Sequence, residues 1–348
     1  MAGVGRAAAA RKLASAAVYG GGGLSLLGAS LYGLLRAEAN VARKAIGRID
    51  GRVPDATGWY GRGRPGPAIR VALLGDSSAA GYGVDFVEQT PGALLGSGLA
   101  ARSNRRVHLD AFCLSGAKSS DLVAQVDAAI PTEPDLAVIL IGANDITHRM
   151  QPSESVRYLG EAVRRLEDAG VAVVVGTCPD LGTVRPIPQP LRQVARWWSR
   201  RLAAAQTIAV VEAGGRTVSV GSILGPEFDA APAVLFGPDR FHPSATGYAS
   251  LVSVLLPSAL AVLGHGPEEA PRSAHGEGLR PVSSAAVHAS QNPGTELDGT
   301  EVAGSRRGPG GRWVVQMRRR WQVLTDAEAP DPDELSGPGD SGEADVSV

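Results

Sequence analysis

Only two cysteines, Cys113 and Cys178, occur in the 348 residues. Two thiols make neither a disulfide framework nor a zinc site. Each directly follows a predicted strand, where a small buried hydrophobe is expected. Net charge is nearly absent too: 34 basic residues face 35 acidic ones, leaving −1. Such a balance offers no field to draw in nucleic acid, and none is expected as a partner. No internal repeat of fixed period is found. Residues 265–348 have few large apolar side chains and are rich in Gly, Pro, Ser and acids. That composition cannot offset its own ordering entropy, so a mostly disordered tail is expected.

Residues 13–35 lack charge altogether. Twenty-three uncharged residues exceed the roughly 20 that span a bilayer. Three readings compete: an uncleaved anchor, a secretion signal cut near Ala37-Glu38-Ala39, and a buried helix. The run is longer than a usual signal core, and Arg36 crowds the cleavage point, which favours the anchor. Gly20 to Gly23 weaken the helix. Basic residues number three before the run and five after it, a margin too small to fix orientation. The chain thus divides into a leader (1–36), a linker (37–68), a folded domain (69–264) and a tail (265–348). Within the tail, 312–324 is basic and carries Trp313 and Trp321, which suits an anionic membrane surface or docking back on the domain. The last stretch, 326–348, holds eight acids and no base and reads as a solubilising tail.

Within 69–264, short apolar runs alternate with helix-like segments. The runs 69–74 (IRVALL), 107–112, 136–141 (LAVILI), 171–176 (VAVVVG) and 208–212 predict five strands. They are continuous rather than alternating, so both faces should be covered. Helices are predicted near 91–102, 119–130, 153–168, 190–205 and 244–263. The pattern predicts an α/β fold, a parallel sheet between two helical layers. Chemistry in such a sheet belongs just beyond the carboxyl ends of the strands.

Four motifs fall there. Gly75-Asp76-Ser77-Ser78 follows the first run and puts a serine where free N–H groups of a helix start favour negative charge. Ser115-Gly116-Ala117 follows the second, and a glycine lets a backbone N–H approach substrate closely. Gly142-Ala143-Asn144-Asp145 follows the third; an Asn there can aim its amide at a developing oxyanion. Asp239-Arg240-Phe241-His242-Pro243 precedes the last helix. A carboxylate three residues before an imidazole can hold one ring nitrogen and leave the other to take a serine proton. Taken singly, each motif is also an ordinary turn, cap or surface group. Taken together, they supply a nucleophile, its base, an orienting acid and oxyanion donors once each.

In this order and these local motifs, Ser77, Gly116, Asn144 and His242 resemble the SGNH hydrolases, also called GDSL esterases/lipases. The likeness covers about 69–264. Ser78 stands where the family usually has Leu, a departure outside the catalytic positions. The resemblance implies a flavodoxin-like three-layer α/β/α fold with a five-stranded parallel sheet. It implies a serine esterase with a Ser77–His242–Asp239 triad, an acyl-enzyme intermediate, and no metal or cofactor. It places the N–H groups of Ser77 and Gly116 with the Asn144 side chain in the oxyanion hole.

Three rival readings stay open. The stretch 75–79 is nearly G-x-S-x-G, as in α/β-hydrolases, although an acid only three residues before the His argues against that fold. The same triad suits acyl transfer to or from envelope glycans or lipids. A binding protein that retains the fold is the third. The proline-rich stretch 180–192 with Trp197 and Trp198 is a candidate wall for the acyl site, and short-chain acyl esters are the expected substrates.

Overall fold

Apolar runs without alternation become strands buried on both faces. The computed structural model describes residues 30–46 and 53–265, with the backbone of 296–297. Its strands are β1 (Gly58–Tyr60), β2 (Ile69–Gly75), β3 (Val107–Ala111), β4 (Leu136–Leu140), β5 (Ala172–Gly176), β6 (Arg216–Val218) and β7 (Glu296–Leu297). They form one sheet in the order β1-β3-β2-β4-β5-β6-β7. The five inner strands are parallel, and β1 and β7 close the two edges antiparallel. The inner order is the doubly wound, flavodoxin-like one, with the first parallel strand inside the sheet and the chain reversing direction across it.

Helices follow in chain order. The described helix nearest the N-terminus, α1, covers 30–45. Then come α2 (Ser77–Ala80), α3 (Pro91–Ser103), α4 (Leu122–Ala129), α5 (Ala143–Thr147), α6 (Pro152–Asp168), α7 (Leu191–Glu212), α8 (Val220–Ala230), α9 (Pro232–Leu235) and α10 (Ala245–Val262). Successive residues of a strand point to opposite faces. Val71 and Leu73 therefore meet Leu95 and Leu99 of α3 and Tyr248 and Leu255 of α10. Ala72 and Leu74 meet Leu122 and Val126 of α4 and Leu159 and Val163 of α6 on the other face. The result is the expected three-layer α/β/α arrangement.

Two features differ from the sequence reading. The sheet has seven strands among the described residues, because the two short edge strands carry little apolar signal. The fifth parallel strand is Arg216–Val218, not 208–212. Residues 208–212 are the last turns of α7, whose buried positions Ser199, Leu202, Ala203, Gln206, Thr207 and Val210 recur at helical spacing. The β-branched cluster there mimics a strand until that longer period is followed.

The stretch 37–68, expected as a linker, contributes structure on both sides of its undescribed residues. Strand β1 pairs with β3, and α1 packs on the domain. Glu38 is buried and accepts the Leu191 N–H at 2.8 Å. Ala42 is buried among Ile146, Val184 and Ile187. Arg240 Nη2 donates to the Ala45 carbonyl at 2.8 Å, closing the end of the helix. At its other end α1 leaves Leu31, Tyr32 and Leu34 about half exposed. Of the uncharged run 13–35, only 30–35 belong to the described residues. The basic segment 312–324 and the acidic end lie outside them. Among the described residues one helix, α10, is long and apolar enough to cross a membrane; half of it is buried, in the main core.

Candidate active site

The site is built where β2 and β4 end side by side. Gly75 closes β2 with φ +137, and a Cβ there would lie 2.0 Å from the Leu140 carbonyl oxygen. Only glycine permits that approach. The buried Gln125 side chain holds both backbone groups of Gly75: it accepts the N–H at 2.7 Å and donates to the carbonyl at 2.9 Å. Asp76 caps the next turn, accepting from the Ser78 amide at 2.9 Å and the Ser78 hydroxyl at 2.6 Å. Ser77 is therefore the first residue of α2, on a turn pinned from both sides.

The loop before α10 brings the second half of the site. Arg240 adopts φ +58 and reverses the chain between Asp239 and Phe241. The Gly237 N–H bonds the His242 carbonyl at 2.8 Å, and Ser244 caps α10. His242 Nε2 lies 2.8 Å from Ser77 Oγ, although 165 residues separate them. Its Nδ1 lies 2.6 Å from Asp239 Oδ2. The other Asp239 oxygen accepts the amides of Phe241 and His242, both at 3.0 Å. Burial raises the Asp239 pKa, but the His242 hydrogen bond, those two amides and the nearby imidazole charge outweigh it. The net result is a carboxyl held below its ordinary value. Nδ1–H thus donates to a carboxylate, and Nε2 is free to accept the serine hydroxyl. Tyr82 and Phe241 flank the imidazole ring, with centroids 4.6 and 5.0 Å away.

Three candidate donors lie on the turns that carry Ser77, Gly116 and Asn144. The Ser77 N–H is the first of α2 and meets no acceptor among the described residues. Gly116 has φ +82 and an equally unengaged N–H, with open space where a Cβ would stand. Asn144 Nδ2 lies 3.4 Å from Asp76 Oδ2, a long contact that a better acceptor can replace. Asp145, buried beside Asn144, accepts the Ser119 amide at 2.9 Å and the Ser119 and Ser155 hydroxyls at 2.6 Å each. It ties the loop that carries Gly116 to the turn that carries Asn144.

Sequence reasoning placed Ser77, Gly116, Asn144, Asp239 and His242 at one site; the structure joins Ser77, His242 and Asp239 by hydrogen bonds, puts Asn144 in the same cavity lining, and sets Gly116 on the loop after Leu114, whose N–H bonds the Gly75 carbonyl. It missed Gln125, Asp145, Ser119, Ser155 and Tyr82. The neighbouring Asp or Asn in two motifs was the only signal available for any of them.

Beside Ser77 opens a cavity of about 110 Å³. Its walls are apolar: Leu140, Val184, Val220, Leu224, Phe228 and Phe236 among others. The proline-rich insertion supplies Leu181, Thr183 and Val184 to it. Trp197 and Trp198 are not among its lining residues; Trp197 is exposed under the Arg201 guanidinium, 4.6 Å from its ring. Both thiols are buried or half-buried, and burial pushes both pKa values up, which leaves them unreactive. Among the described residues no group of three or more His, Cys, Asp or Glu side chains is placed to hold a metal ion.

The family model described as GDSL-like Lipase/Acylhydrolase family matches residues 73–250, the stretch that holds every motif above. The chain belongs to this family, that of the SGNH hydrolases. A GDSL-like esterase of Mycobacterium tuberculosis is 42% identical over 255 residues, covering 70% of this chain and 80% of that protein. Among solved structures, TesA is similar over 56% of this chain and 99% of its own, at 22% identity and TM-score 0.44. A lipase/acylhydrolase from Enterococcus faecalis is similar over 58% and 100%, at 21% identity and TM-score 0.42. The SGNH hydrolase described here is a carboxylic ester hydrolase.

Proposed function

We propose that Ser77 is the nucleophile of this esterase, with His242 as its base and Asp239 as the group that orients His242. The observation that carries the proposal is the unbroken relay Ser77 Oγ–His242 Nε2–His242 Nδ1–Asp239 Oδ2, with contacts of 2.8 and 2.6 Å. A serine hydroxyl attacks poorly at its own pKa and needs a base within hydrogen-bond reach. His242 takes the Ser77 proton as Oγ bonds the ester carbonyl carbon. The resulting oxyanion draws on the N–H groups of Ser77 and Gly116 and on the Asn144 amide. Collapse breaks the bond to the alcohol, which leaves with the proton from His242. Water, deprotonated by the same imidazole, then releases the acid and restores Ser77. Asp239 stays ionised throughout and stabilises the imidazolium.

The apolar cavity receives the acyl chain. At about 110 Å³ it has room for only a few water-sized groups at roughly 30 Å³ each. That favours short-chain acyl esters and disfavours long fatty chains. The catalytic unit comprises 69–264, and the uncharged run 13–35 attaches it to a membrane. The first described residues of α1, 30–35, belong to that run, and the exposure of Leu31, Tyr32 and Leu34 supports this attachment.

Ser77→Ala should lower kcat on p-nitrophenyl butyrate by at least about 10³-fold, with the fold unchanged by circular dichroism. Wild-type-like turnover by the variant would sink the assignment. A p-nitrophenyl ester series should peak at short chains; a maximum beyond about ten carbons would contradict the cavity reading.

A further inference from the structure

A second cavity, about 90 Å³, lies on the far side of the wall formed by 181–184. Leu181, Thr183 and Val184 face the acyl cavity, whereas Gly182 and Arg185 face this one. Its character is the opposite of the first. Arg185, Arg192 and Arg196 line it with Gln189, Gln193 and Asp229. No acyl chain would displace water from such a lining.

The charges do not cancel. Arg185 pairs with Asp229 at 2.9 Å, and Arg196 reaches the same carboxylate at 3.8 Å. Arg196 Nε and Arg200 Nη2 share Asp180, at 3.4 and 3.1 Å. Four guanidinium groups thus contend for two carboxylates, counting Arg192, which reaches neither among the described residues. From α1, Glu38 is turned to the Leu191 N–H instead. Arg196 Nε is buried, and its 3.4 Å ion pair with Asp180 falls short of a hydrogen bond. Gly182 lets the loop run against it, since a Cβ there would lie 2.2 Å from Nε. A cavity lined by three guanidinium groups and one carboxylate calls for an acceptor with more than one oxygen.

We propose that this cavity binds a phosphate group, held by the guanidinium forks of Arg185, Arg192 and Arg196. Planar forks match a tetrahedral oxyanion bidentately, and the surplus positive charge matches its one or two negative charges. The phosphate is either free in solution or the headgroup of an anionic lipid. The cavity sits beside Leu191, where α1 is fastened, so a headgroup is within the geometry. Because the wall 181–184 is shared, occupancy would also brace the acyl cavity.

The test is calorimetric titration of the whole chain with inorganic phosphate against chloride at matched ionic strength. It is repeated on Arg192→Gln and on Arg192→Lys, which keeps the charge and loses the fork. Saturable phosphate binding is expected, weakened at least about tenfold in Arg192→Gln and less in Arg192→Lys. Co-sedimentation with phosphatidylcholine vesicles, with and without phosphatidic acid, then separates the sources. A deficit of Arg192→Gln confined to the phosphatidic acid vesicles assigns the site to a lipid headgroup. Phosphate binding without such a deficit assigns it to a soluble phosphate. No saturable binding by the wild-type chain, or equal affinity in wild type and Arg192→Gln, would overturn the proposal.

Discussion

Asp76 and Asp239 lie within the same site and are tuned in opposite directions. Burial raises the Asp76 pKa, and Asp145 adds to that; the Ser78 hydroxyl and amide and the His242 charge offset only part of it. An acid whose folded pKa is raised costs stability once ionised, and the cost fades as pH falls through that raised value. Asp76→Asn keeps an acceptor for the Ser78 N–H and removes the charge. Its Tm should exceed that of the wild type at pH 7, with the gap closing as pH falls toward about 4. A constant gap across that range would contradict the account. Asp239 works the other way. Its lowered pKa contributes stability above about pH 4 that is lost as pH falls through the folded value. Asp145 is a positioning residue: three donors converge on it, and one amide oxygen cannot serve them all. Asp145→Asn should cut kcat about 10- to 100-fold with KM little changed, as a misaligned oxyanion donor would. A loss expressed only in KM would place its role in substrate binding.

The strands that carry the site were legible in the sequence because buried parallel strands are unbroken apolar runs. Four of the five parallel strands fall within one or two residues of their predicted bounds. The fifth did not, because a helical stripe rich in Val and Ile outweighs the three residues of β6. The staples at the strand ends were illegible. Gln125 on Gly75, and Gln206 between Ile141 and Cys178, are polar residues on otherwise ordinary helices. Only the fold shows that they face backbone groups across 50 and 65 residues of chain. The packing of α1 was equally hidden, since Glu38 and Ala42 follow an apolar run and give no sign of where they dock. Glu38→Ala leaves the Leu191 N–H without its acceptor and should cost about 1 kcal/mol, read from denaturant unfolding. No change in midpoint would mean that α1 contributes little beyond tethering.

For the whole molecule, the account separates a catalytic unit from what precedes and follows it. The motifs and the cavity fall between β2 and the end of α10, and the core adds Ala42 and Ala56 from before β2. Strand β7 adds only two residues at one edge. Removing 266–348 should therefore leave ester turnover within about twofold, whereas removing everything before residue 53 strips α1 from the wall of the acyl cavity and should lower both Tm and activity. Failure of the tail-truncated chain to fold would move the boundary beyond residue 264. The fold's strand order predicts the location of the site, and the motifs predict its residues. The acyl group and alcohol depend on cavity walls drawn from six separate segments, and no short motif encodes that shape. The most direct test of the central claim is covalent. The protein should be treated with a p-nitrophenyl phosphonate, and the labelled peptide mapped by mass spectrometry. The account predicts one phosphonyl group per chain on Ser77 Oγ, release of one p-nitrophenolate, and no labelling of Ser77→Ala or His242→Ala. Stoichiometric labelling at any other residue, or undiminished labelling of Ser77→Ala, would contradict it.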